Sequence, residues 1–96
     1  LRKPIDRRVY EIARKHCGKQ FSWKISLELL HKKTGTTDVI RNFRAAINSL
    51  CQADVLPDYA IEYDRQNDMV TFINRDEAIL LEANQKIIKK LTKSIF

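Results

Sequence analysis

This sequence contains few of the residues that break or cross-link a chain. Its 96 residues include only 2 glycines, 2 prolines and 2 cysteines. So little glycine and proline, beside an apolar fraction of 44%, argues against a disordered chain and predicts one folded domain over residues 1–96. Two cysteines are too few for a disulfide scaffold and indicate a reducing compartment, which we expect to be the cytoplasm.

Several kinds of chemistry have no visible pattern in the sequence. No apolar run has the length of a membrane span, and no glycine-rich loop is available to hold a phosphate group. The histidines and cysteines do not have the spacing of a zinc site, and the acidic residues near position 64 are typical of a solvated turn. We therefore expect a binding module that has no catalytic residues, no cofactor and no metal, and that does not associate with a membrane.

Positive charge is concentrated in the first half of the chain. The net charge of the whole chain is +6. Residues 1–53 hold 12 Lys and Arg against 4 Asp and Glu, so this segment alone carries +8. Residues 54–75 carry −3 and residues 76–96 carry +1. This asymmetry is typical of a protein that neutralises phosphates, although a basic surface that only confers solubility is the alternative.

Hydrophobic periodicity predicts helices, a short strand and a hairpin in a fixed order. The predicted helices cover about residues 4–17, 27–34, 37–52 and 76–91, and the predicted strands cover 20–25, 59–63 and 69–73. This order predicts an α+β fold of the winged helix-turn-helix class with an extra C-terminal helix. Residues 1–75 would form the winged-helix core and residues 76–96 the added helix.

The role of the last helix is left with three alternatives. Its apolar residues recur at helical spacing at positions 79, 80, 83, 87 and 91. The helix would close the domain against the first helix, dimerise, or join a neighbouring domain, and we favour closure. Because the chain begins at Leu1 and not at Met, we expect it to be part of a longer protein.

The helix predicted at about residues 37–52 has two contrasting faces. Its apolar stripe, which includes Val39, Phe43 and Ile47, belongs in a core, whereas the other face carries Arg and Asn and no Lys or Glu. Arg and Asn side chains read guanine and adenine edges in a DNA major groove. We predict a recognition helix whose base-reading residues are Thr37, Asp38, Arg41, Arg44, Ala45 and Asn48.

Other residues are candidates for contacts with DNA phosphates, which fix register without reading sequence. We also expect a threonine, Thr36 or Thr37, to cap the recognition helix, and Asp38 to cap it or to contact a base. The predicted phosphate-binding set is Arg7, Lys24, Lys32, Lys33, Thr36 and Arg65.

Several segments, taken together, resemble a known family. The segments at residues 4–18, 23–35 and 42–47, followed by Leu56-Pro57-Asp58-Tyr59, are similar to plasmid replication initiator proteins of the RepA and TrfA type. The resemblance covers about the first three-quarters of the chain, and it rests on the order and spacing of the segments rather than on any single one.

The resemblance implies a function. Such bacterial initiators bind repeated origin sites, the iterons, through winged-helix domains, help to open the adjacent duplex and recruit host replication proteins. The expectation is that this chain is the C-terminal winged helix of such an initiator, with double-stranded DNA as its partner and dimerisation through other parts of the full-length chain. A winged-helix transcription regulator that binds an operator, or a protein-interaction winged helix, are the alternatives.

Overall fold

The structure, a computed structural model, describes the backbone of residues 3–95 and the side chains of residues 3–90. Within that range the chain forms helices and strands in the order predicted from the sequence. They are α1 (Pro4–His16), β1 (Ser22–Ser26), α2 (Leu27–Thr34), α3 (Ile40–Ala53), β2 (Tyr59–Asp64), β3 (Met69–Asn74) and α4 (Glu77–Ile95).

The three strands form one antiparallel sheet in the order β1-β3-β2. The hairpin strand β3 lies in the centre, where Phe72 pairs with Trp23 on one side and Ile61 on the other. Because side chains alternate along a strand, this row lies on one face, which is the face that packs on the helices. Phe72 and Val70 are both fully buried, so the hairpin is held by the helical core and does not stand alone.

One hydrophobic core joins the sheet to the first three helices. α1 contributes Val9 and Ala13, and α2 contributes Leu27 and Leu30, all of them fully buried. From α3 come Phe43, Ile47 and Leu50. The spacing of these last three residues is the apolar stripe that the sequence predicts, and burying it turns the opposite face of α3 outward.

The ends of α2 match the signals in the sequence. The hydroxyl of Ser26 accepts a hydrogen bond from the amide of Leu29 at 3.1 Å, which caps the helix. Gly35 ends the helix in the left-handed conformation at φ 69°, which glycine adopts without a steric penalty. The predicted break between α2 and the recognition helix is therefore confirmed.

The predicted start and capping of the recognition helix are wrong. α3 begins at Ile40, its N-cap is Val39, and no side chain caps it. The Thr36 hydroxyl instead accepts a hydrogen bond from the amide of Asp38 at 3.2 Å, so it stabilises the turn before the helix. Val39 was expected in the core, but it is 59% exposed because it lies in this turn.

Closure of the domain by α4 was expected, and within residues 77–90 the predicted stripe is only partly covered. Ile79, Leu80 and Ala83 are half-buried, whereas Ile87 is 53% exposed and no side chain in this range is fully buried. The molecule measures 54 × 26 × 21 Å, as expected if this helix extends away from the core. Leu91, the last residue of the predicted stripe, lies outside the described side chains. On α2, Leu29 differs from the buried Leu27 and Leu30 in being 47% exposed.

The architecture is α+β, with four described helices and a small three-stranded antiparallel sheet. The α2–turn–α3 unit, the β2–β3 hairpin and the completing strand β1 correspond to the predicted winged helix-turn-helix with an added C-terminal helix.

Candidate nucleic-acid interface

The outward face of α3 is the centre of the candidate site. Arg41 and Ala45 are exposed, and Asn48 is half-buried beside them on the same side of the helix. α3 contains no Lys, Glu or Asp, so its polar surface consists of guanidinium, amide and hydroxyl groups. The outward face of the helix also includes three exposed residues that have groups suited to base contacts but were not among the predicted base readers: Asn42, Ser49 and Gln52.

The turn between α2 and α3 is held in place by His31, which was not among the residues predicted to form the site. His31 places its Nε2 atom 2.7 Å from the carbonyl oxygen of Asp38, and its ring packs edge-on against Phe43 at 5.1 Å. Thr36 and Thr37, both predicted to contact DNA, lie in this same turn, and Thr37 is exposed. The structure therefore brings the turn and the outward face of α3 together, with Asp38 immediately before the helix.

Arg44 lies on the side of α3 that faces the hairpin. Its Nε atom donates to the Tyr63 hydroxyl at 3.1 Å and to Asp68 Oδ1 at 3.4 Å, while Nη2 donates to Asp68 Oδ2 at 3.2 Å. The Tyr63 hydroxyl donates in turn to Asp68 Oδ1. We refer to these three side chains, Arg44, Tyr63 and Asp68, as the Arg44 cluster. Arg44, which was predicted to read a base, is thus hydrogen-bonded to the β2–β3 hairpin, which we call the wing.

The protonation states of the Arg44 cluster are set by its own contacts. The Tyr63 hydroxyl and then the Arg44 guanidinium lower the pKa of Asp68, so its carboxylate is ionised at neutral pH. Burial, followed by the hydrogen bond to Asp68, raises the pKa of Tyr63, which stays protonated. The hydrogen bonds to Asp68 and Tyr63 raise the pKa of Arg44.

The tip of the hairpin is short and internally bonded. The Asp64 carboxylate accepts hydrogen bonds from the amides of Gln66 and Asn67 and from the Asn67 side chain at 2.8 Å. The Asn67 side-chain bond is the main cause that lowers the pKa of Asp64. Arg65, a predicted phosphate contact, is exposed at this tip. The backbone of Asp68 fastens the hairpin to α2, since its carbonyl accepts from the amide of Leu27 at 2.9 Å.

The predicted phosphate-binding side chains are not all on one surface. Lys32 and Lys33 are exposed on α2, next to the turn, and Arg7 is exposed on α1. Lys24 pairs with Thr71 across the sheet, in the row that alternates with the row of half-buried Trp23 and buried Phe72. It therefore lies on the sheet face turned away from the helices, apart from α3.

A second group of cationic side chains lies where α1 and α2 approach each other. His16 stacks on Trp23 at a centroid distance of 4.8 Å. Burial, and then the charges of Lys33 and Lys15, lower the pKa of His16, so its imidazole is neutral at pH 7 and the two nearby lysines carry the positive charge. Arg8 donates from Nε to the carbonyl of Thr34 at 3.2 Å and connects α1 to the end of α2.

The two cysteine thiols are separate from these cationic side chains. Cys17 is buried in the core and Cys51 is half-buried on α3, and burial raises the pKa of both. Among the described residues, no three His, Cys, Asp or Glu side chains come together as a metal site would require. In the same part of the chain, no helix is both long and apolar enough to span a bilayer.

The α+β fold is compatible with a winged helix that has an added C-terminal helix, and the outward face of α3 is a candidate nucleic-acid interface. The family model described as Replication initiator protein A matches residues 1–61 of the chain. The chain is also 48% identical, over 75 residues, to a "Putative replication protein" from Wigglesworthia glossinidia brevipalpis. The chain belongs to the replication initiator protein A family, and the resemblance to replication initiators seen in its sequence is confirmed.

The match to this relative covers 78% of the chain but 27% of the relative's length. The chain therefore corresponds to about a quarter of that protein. No solved structure matches the chain.

Proposed function

We propose that this chain is a sequence-specific, double-stranded DNA-binding domain of a plasmid replication initiator. In this proposal α3 enters the major groove at repeated origin sites, the iterons, and the chain has no catalytic role. The observation that carries the proposal is the outward face of α3, where Arg41 and Asn48 surround the small residue Ala45. Family membership supports a role in the initiation of replication.

The dimensions of α3 suit a major groove. The helix has 14 residues and is therefore about 21 Å long. A B-form major groove is about 12 Å wide and admits one α-helix. Because Ala45 has a short side chain, the backbone of α3 can come close to the base edges while the longer Arg41 and Asn48 reach to either side.

The charge distribution supports contact with phosphates around this groove. Arg65 at the hairpin tip and Lys32 beside the turn are exposed, and both were predicted to hold phosphates. Arg7 lies on α1, and Lys33 lies on α2 near His16 of α1, so in this proposal they contact a more distant part of the DNA backbone. Lys24 faces the opposite side of the sheet, and its predicted phosphate contact is not retained in this docking mode.

The test is a fluorescence-anisotropy titration of the chain against labelled duplex DNA at several salt concentrations. If four phosphates are neutralised, the plot of log K against log salt concentration should have a slope of about −3.6. A slope near zero, or no binding at moderate salt, would contradict the proposal. An operator-binding transcription regulator would give the same slope, and only the location of the selected site in a replicon separates the two functions.

A second candidate function, protein–protein interaction, is favoured by the exposed Leu81 and Ile87 on α4. Host replication proteins and a second copy of the full-length protein are the partners we propose for surfaces other than α3. Analytical ultracentrifugation of the chain and of a Leu81→Ser/Ile87→Ser variant tests self-association. A concentration-dependent shift in sedimentation that the variant lacks would support it.

A further inference from the structure

The Arg44 cluster joins the recognition helix to the wing through side chains alone. Arg44 belongs to α3, Tyr63 to β2 and Asp68 to the turn before β3. The side chains of Arg44 and Asp68 are each 39% exposed, so the cluster lies at the edge of the surface and not in the core. It therefore borders the same face of α3 that holds Arg41 and Asn48.

The hydrogen bonds leave one side of the guanidinium available. Among the described residues, the contacts of Arg44 involve Nε and one side of Nη2, which together face Asp68. A guanidinium carries five N–H groups, so both protons of Nη1 and the outer proton of Nη2 point away from the carboxylate. This outer pair of nitrogens has the geometry that contacts O6 and N7 of guanine.

The charge of the cluster favours a base edge over a phosphate as the target of Arg44. Ionised Asp68 balances the charge of Arg44, so the pair attracts a phosphate less than an unpaired cation such as Lys32 would. A neutral guanine edge is selected by the direction of two N–H groups and not by net charge. The two contacts to Asp68 and the one to Tyr63 fix the direction of these N–H groups.

We infer that Tyr63 and Asp68 are positioning residues that hold the outer edge of Arg44 toward the major groove, where it reads one guanine. This inference rests on the proposed DNA-binding function and extends it to two wing residues and one base. The wing then contributes to sequence preference through the side chain it orients, in addition to any contact of its own with DNA.

The experiment compares base preference, site by site, for the wild type, four single variants and the double variant Arg44→Ala/Asp68→Asn. Random-duplex selection with sequencing gives the wild-type motif. Anisotropy titrations on duplexes that carry each single-base change then measure the preference at every position. The single variants are Arg44→Ala, Asp68→Asn, Tyr63→Phe and, as a matched control, Glu62→Gln, which removes an exposed carboxylate from the same hairpin. Circular dichroism verifies that each variant is folded.

The substitutions are chosen to leave the backbone unchanged. Asp68 has a φ of 54°, and asparagine adopts this left-handed conformation at least as readily as aspartate. The bond from the Leu27 amide uses the backbone carbonyl of Asp68, so Asp68→Asn retains it. Tyr63→Phe removes only the hydroxyl, and it provides an independent test if Asp68→Asn fails to fold.

The inference predicts that Arg44→Ala lowers the preference for guanine at one position by about 10- to 100-fold. Asp68→Asn and Tyr63→Phe should lower the preference at that same position by about 3- to 10-fold, and the double variant Arg44→Ala/Asp68→Asn should match Arg44→Ala. Glu62→Gln should tighten binding to all sequences slightly, because only a negative charge is lost.

Two results would overturn the inference. In the first, Asp68→Asn behaves like Glu62→Gln, with uniformly tighter binding and an unchanged motif. In the second, Arg44→Ala weakens all sequences equally and flattens the salt dependence, as a phosphate contact would. Both results require a wild-type motif, so they are distinguishable from failure of the proposed function, in which the wild type selects no motif.

Discussion

Replacing Arg41 by alanine tests the division of labour between base readers and phosphate contacts. Arg41 lies at the second position of α3 and is exposed, and its side chain makes no hydrogen bond or ion pair with the other described residues. Its removal should change the stability of the domain by less than about 0.5 kcal/mol, as for most surface substitutions. Any loss of DNA binding would then arise at the interface and not from unfolding.

The size of the effect follows from the number of contacts that Arg41 can make. A guanidinium free of protein partners can bind one guanine through two hydrogen bonds, and such a pair contributes about 1–3 kcal/mol of discrimination. This corresponds to a loss of about 5- to 150-fold at one base pair. The slope of log K against log salt concentration should change little, because a base contact releases few counterions.

Lys32→Ala is the matched comparison. Lys32 is exposed on α2, outside the recognition helix, and is predicted to contact a phosphate. Its removal should weaken all sequences alike and make the slope less negative by about 0.9. Anisotropy titrations on the selected site, on a single-base variant and at four salt concentrations measure both quantities. If the two variants change the slope and the motif in the same way, the proposed division is refuted.

Three further predictions concern the scaffold that presents α3. Phe43→Ala should lower the free energy of unfolding by about 3–5 kcal/mol, measured by urea denaturation, because the side chain is 2% exposed in the core. Ser26→Ala should lower it by about 0.5–2 kcal/mol through loss of the α2 cap, whereas Ser22→Ala, at an exposed strand position, should not. The pKa of Asp68 is lowered in the folded state, so its stabilising contribution is present above about pH 4 and is lost as the pH falls through its folded value. Thermal melts should therefore show that Asp68→Asn lowers Tm by about 2–4 °C at pH 7 and by less at pH 2.5; an equal difference at both pH values would contradict this.

Local signals in the sequence were sufficient to predict the helices and strands. Ser26 and Gly35 mark the ends of α2, and the spacing of Phe43, Ile47 and Leu50 gives the buried side of α3. The orientation of α3 follows from that spacing alone, which is why its outward face could be located from the sequence. The assignment of individual residues on this face to bases or phosphates is still a prediction.

Other features depend on contacts between residues far apart in the chain. Arg44 and Asp68 are separated by 24 positions, and their pairing depends on the hairpin register, which the sequence pattern does not specify. The start of α3 was misplaced because the Thr36 hydroxyl bonds within the turn and leaves Val39 as an unconventional N-cap. The position of α4 could not be predicted, because an apolar stripe indicates that a helix has a partner without identifying it.

Whether α3 reads duplex DNA is measured by selection of the chain on random duplex DNA followed by sequencing of the retained molecules. We expect one enriched motif that contains guanine and occurs as a repeat beside a plasmid replication gene. Its enrichment should disappear in Arg41→Ala/Arg44→Ala. Retention of DNA without any enriched motif, or no retention at moderate salt, would contradict the claim that this helix is a recognition helix.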